Sequence, residues 1–290
     1  MKFLIKRHLL LFFRDRANVF FSMLAVLIAI LLYVFFLADL LAVNIAATVP
    51  DAAATQVRTV MSGIILGGTV AVGTVSSSQS GIARMVIDRE DVARDFHASP
   101  LKRSHLMFSY VMASSIIALI MSGLSLSFTL IYLGIRGAGL PDPISLLQLV
   151  ITLIFGVISA NSFMVLTALC IKSRNAFSSF GSIMGTLIGF LAGVYIPIGQ
   201  LPNGIAWLIN IFPTAHTASL FRQVLAGNLL NGFSAYVSED TLSEIHSLFG
   251  ITLQLGRLQT NFLISAVYLL ATSIIFYALA IWKMKTQKFE

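Results

Sequence analysis

Six stretches of this chain carry no charged residue, and each is long enough to cross a lipid bilayer. They cover residues 17–38, 59–83, 104–135, 143–171, 175–221 and 258–282. A transmembrane helix needs about 20 consecutive apolar residues. Only 11% of the chain is charged, whereas soluble domains carry about 25%. These stretches therefore predict an all-α polytopic membrane protein.

The longest uncharged stretch has to be divided. It runs for 47 residues between Arg174 and Arg222, and its second half contains Pro197, Pro202 and Pro213. The residues between the last two prolines are too few to cross a hydrocarbon core of about 30 Å. A re-entrant helix is therefore predicted after the fifth span, within a re-entrant or extracellular segment at 199–257. Six spans of a single transmembrane domain, residues 1–290, follow, at about 17–41, 59–83, 104–135, 144–171, 175–197 and 258–282.

The positive charges predict the orientation of these spans. With six spans and both termini in the cytoplasm, 15 of the 19 Lys and Arg residues lie in cytoplasmic segments, as the positive-inside rule requires. The formal net charge of +7 is then a sign of membrane topology and does not indicate nucleic-acid binding. A multi-pass protein of the plasma membrane is expected.

Missing motifs exclude several classes of protein. Cys170 is the only cysteine, so an intrachain disulfide is impossible. The chain has neither the glycine-rich phosphate loop nor the HExxH zinc motif. The cores of the predicted spans contain no Asp, Glu, Lys or Arg, whereas ion pumps usually need ionisable groups at membrane depth. We therefore expect no enzyme activity and no bound metal or cofactor, and any energy for transport must come from a partner.

One short internal stretch gathers charge. Residues 84–103 hold nine of the 31 charged residues of the chain. A short amphipathic helix at 85–98 is predicted there, in which Asp88 caps or begins the first turn. Its mixed charges favour docking of a cytoplasmic protein, although a solvated connection is the plain alternative. The candidate docking residues are Asp88, Arg89, Glu90, Asp91, Arg94, Asp95 and Phe96.

The first 16 residues mix cationic and apolar side chains. This pattern indicates a helix that lies in the cytoplasmic interface before the first span, or a simple topological anchor. Its candidate contact residues are Arg7, Phe12, Arg14 and Arg16. Near the outer end of the first span, Tyr33 and Phe36 form either an aromatic belt at the membrane interface or a constriction on a transport path.

Polar residues and glycines inside the spans are candidates for a transport path. Ser77 and Gln79 either bond to local backbone carbonyls or line a wet vestibule, and Asn161 makes either an interhelical hydrogen bond or a substrate contact. In the fifth span four glycines recur every four residues and so share one helical face. They form either a packing groove or a sliding interface, and they are Gly181, Gly185, Gly189 and Gly193. Arg222, on the amphipathic stretch 214–226, is expected to snorkel to lipid headgroups.

Three segments carry a resemblance to a known family. They are the N-terminal stretch ending in FFRDR, the loop IDREDVARDFHASPLKRS and the stretch YIPIGQLPNGIAWLINIFPTAHTASLFRQVLAG. In this order, and with six spans, the chain resembles the type-2 permeases of ATP-binding cassette (ABC) exporters, which include bacterial drug and natural-product exporters. The resemblance implies that spans one, two and five line the path and that the re-entrant segment caps it outside.

The resemblance also implies the partners. Two cytoplasmic ATPase subunits, which bind the ATP and Mg²⁺, would pair with two permeases, either two copies of this chain or one copy and a sister permease. The cargo is expected to be apolar or amphipathic, such as a drug, peptide, toxin or lipid-like product. The alternatives are a stand-alone secondary transporter or channel, and a membrane immunity or scaffold protein.

Overall fold

The computed structural model describes residues 1–33, 35, 54–91, 103–139, 141–233, 239–256 and 258–286. Ten α-helices lie in these ranges. They are α1 (Lys2–Arg14), α2 (Arg16–Leu32), α3 (Ala54–Asp91), α4 (Arg103–Ile135), α5 (Pro143–Cys170), α6 (Arg174–Leu191), α7 (Asn203–Ile211), α8 (Pro213–Phe233), α9 (Glu239–Leu248) and α10 (Phe262–Thr286). The all-α prediction is confirmed for these residues, apart from a two-stranded hairpin.

Local sequence explains where several helices begin. The Asp142 carboxylate accepts hydrogen bonds from the backbone N–H groups of Ile144 and Ser145, and Pro143 occupies the first turn of α5. Ser173 accepts from the N–H of Ala176 at the start of α6. Such side chains satisfy backbone donors that the first helical turn leaves free. The hairpin pairs β1 (Gln254–Leu255) with β2 (Leu258–Gln259).

Four of the described helices are long and apolar enough to cross a membrane. These segments are Val57–Asp91, Ser104–Ile135, Pro143–Cys170 and Phe262–Thr286. The other two predicted spans overlap α2 and α6. In the described structure α2 has 17 residues and α6 has 18. The described residues therefore contain four candidate spans by length and composition, and the count of six stays a prediction.

Helix α3 is the centre of the fold. It packs against α4, α8, α5, α2 and α6, and 94% of its most apolar 18-residue window is buried. The apolar side chains Leu66 and Val70 pack into one apolar cluster and Ile64 into another, while serines and threonines such as Thr69 and Ser78 turn their hydroxyls back to the helix backbone. A helix that is buried all round needs no polar face. Small residues can therefore occur on every side of α3.

The charged stretch after the second span departs from its prediction. Helix α3 continues without a break from Ala54 to Asp91, so no separate helix begins at residue 85 and Asp88 caps no helix. The apolar residues Met85 and Val86 are buried, and their packing extends the helix beyond the uncharged stretch. Residues 92–98 of the predicted docking helix lie outside the described residues.

The segment after α6 folds back into the molecule. A 3-10 turn at Ile198–Gln200 precedes α7, and Pro213 then separates α7 from α8. Helix α8 packs against α3, α5 and α10, and most of its described side chains are buried. The predicted short helix is thus present as α7, but the amphipathic surface stretch predicted at 214–226 is wrong because α8 is a core helix.

Candidate functional site

A cluster of charged and aromatic side chains joins α1 to the Asp91 end of α3. The Asp88 carboxylate pairs with Arg84 at 2.6 Å and with Arg7 at 3.0 Å. It also accepts a hydrogen bond from the Tyr110 hydroxyl at 2.7 Å. The His8 ring contacts the Tyr110 ring in a tilted arrangement, with ring centroids 4.1 Å apart. We call these five residues the Asp88 cluster, and they tie α1, α3 and α4 together.

The cluster corrects the role predicted for Asp88. Its side chain is only 1% exposed, so it is not available to a partner on the surface of this chain. A buried carboxylate is stable when cations and hydrogen-bond donors surround it, and Arg7, Arg84 and Tyr110 supply both. Arg7, predicted as a contact residue of the N-terminal helix, is held by this internal pair.

Arg89 and Glu90 hold the junction between α5 and α6. The Arg89 guanidinium donates to the carbonyls of Ala168 at 2.9 Å and Ile171 at 3.2 Å, at the C-terminal end of α5. A cation at this end of a helix also interacts favourably with its dipole. The Glu90 carboxylate accepts from the backbone N–H of Arg174 at 2.8 Å, at the start of α6.

The remaining predicted docking and contact residues fall into three groups. Asp91 is exposed and lies 3.9 Å from Arg174, and Arg14 and Arg16 are exposed as well. Phe12 is buried against Ile117 and Met121 of α4, so it anchors α1 internally. Arg94, Asp95 and Phe96 lie outside the described residues. Glu90, Asp91, Arg14 and Arg16 are thus the candidates that remain on the surface.

The buried His8 side chain predicts that the stability of the fold depends on pH. Burial and the neighbouring cations Arg7 and Arg84 lower the pKa of His8 from 6.5 to about 4, while Asp88 opposes them. The unfolded chain therefore binds a proton that the folded chain does not, and stability falls as the pH drops from 6.5 towards 4. We expect the free energy of unfolding to decrease by about 2 kcal/mol between about pH 7.5 and about pH 5 through this group.

The measurement is SDS-induced unfolding in mixed micelles at both pH values, with the His8→Gln variant as the control. His246, whose pKa burial also lowers, is present in both proteins, so the difference between them isolates His8. Equal pH dependence of the two proteins would contradict this assignment.

The glycines of α6 meet different neighbours. A Cβ at Gly181 would clash with the Gln79 side chain, and one at Gly189 would clash with the Tyr195 ring, while Gly185 has no neighbouring atom within 4 Å. Gly181 and Gly189 therefore receive other side chains, as a packing groove would. Gly193 does not share their helical face, because α6 ends at Leu191 and Gly193 has a φ of +61°.

A second face of α6 carries exposed hydroxyls. Ser178, Ser182 and Thr186 follow one another at four-residue spacing and are exposed. Their bonds run along the helix, since Ser182 donates to the Ser178 carbonyl and Thr186 to the Ser182 carbonyl. We call these three residues the hydroxyl face of α6, and polar groups on such a face suit contact with water or a polar surface better than contact with lipid tails.

The other candidates for a transport path are mostly buried. Tyr33 is 1% exposed and shares a 2.8 Å hydrogen bond with the Ser62 hydroxyl, so its ring lines no open space. Ser77 is buried and Gln79 is half-buried against α6. Phe36 lies outside the described residues.

Asn161 links three helices. Its side-chain oxygen accepts from the Ser114 hydroxyl at 2.8 Å, and its amide donates to the Ser115 hydroxyl at 2.7 Å and lies 3.4 Å from the Tyr277 hydroxyl. These partners belong to α4 and α10, and Asn161 is fully buried. The interhelical alternative is therefore the one that the structure contains.

Sequence reasoning missed the polar residues that hold α8. Arg222 is fully buried rather than snorkelling to a headgroup, and it donates to the carbonyls of Ile64, Ala192 and Gly193. His216 contacts the Asn210 carbonyl at 2.9 Å and stacks on Tyr268, whose hydroxyl donates to the Ile211 carbonyl. The sequence did contain a signal for these residues. His216 and Arg222 are ionisable side chains that follow Pro213 within one helical stretch of a mostly apolar chain.

No group of three or more potential metal ligands occurs among the residues that the structure describes. Two features of the described structure could transmit movement between helices. One is the Asp91 end of α3, where charged side chains join α1, α4, α5 and α6. The other is α6, which has a packed glycine face and an exposed hydroxyl face.

Comparisons with known proteins agree with this architecture. Residues 1–226 match the family described as ABC-2 type transporter. A comparison with curated proteins gave no match. The matched residues include the N-terminal helix, the charged end of α3 and the Pro213–Arg222 stretch, which carry the resemblance noted above. The chain therefore belongs to the ABC-2 type transporter family and is a membrane permease of that kind.

Proposed function

We propose that this chain is the membrane subunit of an ABC exporter that moves an apolar or amphipathic cargo outward. A separate cytoplasmic subunit hydrolyses the ATP, and two such subunits serve two permeases. In this proposal α2 and α6 complete the six spans, both termini are cytoplasmic, and the membrane is the plasma membrane. The position of most Lys and Arg residues on one side supports this orientation.

The observation that carries the proposal is the joined Asp91 end of α3. Arg7 and Asp88 connect α1 to α3, Arg89 connects α3 to the end of α5, and Glu90 connects α3 to the start of α6. A displacement of this end by a bound protein would therefore move several helices together. Such a shared base suits a permease that receives mechanical work from an ATPase.

The hydroxyl face of α6 supports the other half of the proposal. It is exposed in a single chain and carries no charge. A second permease placed opposite would enclose a path walled by hydroxyls and by the exposed apolar side chains Ile183 and Leu187 of the same helix. This mixed lining fits cargo with both apolar and polar groups.

Charge reversal at the exposed part of the Asp91 end tests the proposal. Glu90→Lys combined with Asp91→Lys is expected to weaken retention of the cognate ATPase subunit on the immobilised permease by about tenfold, because rim charges set the register of an interface. Retention is measured in detergent at low salt, together with ATP hydrolysis by the recovered complex.

The matched control is the variant Glu239→Lys with Asp240→Lys. These two residues are also adjacent, acidic and exposed, but they begin α9. Retention equal to that of the unmodified protein is expected for the control. If both double variants retained the ATPase equally, the docking role of the Asp91 end would be lost.

A further inference from the structure

Helix α6 is attached to the rest of the molecule along one narrow side. Of its 18 residues, only Phe177, Gly181, Met184, Ile188 and Gly189 are buried. Its Arg174 end is held by Glu90, as described above. Its Leu191 end is held by a different charged residue, Arg222 of α8.

Arg222 binds the carbonyl groups at the Leu191 end. Its Nη2 donates to the Ala192 carbonyl at 2.5 Å and to the Gly193 carbonyl at 2.9 Å, while its Nε donates to the Ile64 carbonyl of α3 at 3.1 Å. The last carbonyls of a helix have no intrahelical partner, and a cation there also interacts favourably with the helix dipole. Arg222 therefore joins the end of α6 to α3 and α8 through one side chain.

Glycines make room for this side chain. A Cβ at Gly68 would lie 2.7 Å from Nη2 of Arg222, and one at Gly67 would lie 3.2 Å from its Cγ. A Cβ at Gly193 would lie 3.3 Å from Nη2 and one at Gly250 would lie 3.4 Å from Nη1, and both glycines have positive φ. The four glycines form a fitted enclosure, so the position of the guanidinium is set by backbone on several sides.

The burial of Arg222 at the end of α6 carries an energetic cost. Arg222 is fully buried, and no carboxylate of the described residues pairs with it. Within the same described part of the chain, its Nη1 finds no acceptor. A buried cation that is held by neutral acceptors alone is incompletely compensated. If the end of α6 moved away, water could reach the guanidinium and offset part of the free energy of the lost hydrogen bonds.

We propose that Arg222 is a latch that holds the Leu191 end of α6, and that release of the Ala192 and Gly193 carbonyls lets this end move away from α3 and α8. In this proposal Arg222 keeps its hydrogen bond to the Ile64 carbonyl of α3, and only its hydrogen bonds to the end of α6 break. The consequence for transport, an opening of the wall that carries the hydroxyl face, rests on the proposed function. The latch itself does not, since it is a property of the folded chain.

The latch is tested by measuring a distance in the full chain. Spin labels replace Leu187 of α6 and Leu208 of α7, which are both exposed, in a Cys170→Ser background. Double electron–electron resonance in lipid nanodiscs is expected to show one main distance. In Arg222→Gln, the population at longer distance is expected to rise at least about twofold, because the closed state loses its charged contacts.

Two further variants keep the result interpretable. Arg222→Lys keeps the cation but loses the forked donors that reach the Ala192, Gly193 and Ile64 carbonyls together, so it is expected to give a shift in the same direction even if Arg222→Gln fails to fold. Arg136→Gln removes an exposed arginine of the same type and is expected to leave the distance unchanged. The proposal is overturned if the folded variants other than the control Arg136→Gln, confirmed by monodisperse gel filtration, keep the distance distribution of the unmodified chain. Because the readout needs neither ATPase nor cargo, its failure is distinct from failure of the proposed function.

Discussion

Replacing Asp88 by Asn is expected to lower the free energy of unfolding by about 3 kcal/mol. The carboxylate is buried, and it holds Arg7, Arg84 and the Tyr110 hydroxyl at distances of 2.6 to 3.0 Å. Asn keeps the shape but removes the negative charge, which leaves two guanidinium groups facing each other. The value is at the low end for a broken buried pair because both arginines are about one-third exposed and remain partly hydrated.

The control for this prediction is Asp91→Asn, one turn further along the same helix. The Asp91 side chain is 56% exposed and lies 3.9 Å from Arg174, so it is expected to change the free energy of unfolding by less than about 1 kcal/mol. Unfolding by SDS in mixed micelles measures both variants. A similar small effect at the two positions would mean that the Asp88 cluster does not stabilise the attachment of α1.

Replacing Gly81 by Val is expected to destabilise the fold by about 3 kcal/mol. A Cβ at this glycine would lie 2.9 Å from the Cα of Ser114 and 3.2 Å from its carbonyl oxygen. Both atoms belong to the backbone of α4 and cannot turn aside as a flexible side chain would. Helices α3 and α4 would have to separate, and the neighbouring contact between Ser114 and Asn161 would be disturbed with them.

Gly134→Val provides the matched control. Gly134 lies near the end of α4, and a Cβ there would meet no atom within 4 Å. Its substitution is expected to change the free energy of unfolding by no more than about 0.5 kcal/mol. The two valine variants are compared in the same SDS titration, and a cost at Gly134 equal to that at Gly81 would refute the close-approach explanation.

The charged stretch after the second span contains two kinds of residue that the sequence alone could not separate. Asp88 lies within the fold and Arg89 binds the end of α5, while Glu90 and Asp91 remain exposed. All four were expected to dock a cytoplasmic protein, because they bring mixed charges to a short predicted amphipathic helix. The distinction depends on which helices surround α3 at this point, and residue spacing carries no information about that.

The glycines and the polar residues of the spans show the same division. Spacing alone placed Gly181, Gly185 and Gly189 on one face of α6, and this face could be predicted because a helix has a fixed period. The neighbours Gln79 and Tyr195 come from other parts of the chain. Asn161 could be predicted to bond across helices because an amide in an apolar segment needs a partner, but its partners on α4 and α10 could not be named.

The sequence by itself determined the solvent and the class of this protein. Long uncharged stretches exclude water as their main environment, and the order of charged segments identifies the family, because hydrophobicity and charge are local properties. Only the tertiary structure decided that α3 is the central helix, that Asp88 is internal, and that Arg222 binds the end of α6. Those outcomes depend on close approach between segments distant in sequence, where a buried charge is stable only beside the donors or acceptors that the whole fold brings to it.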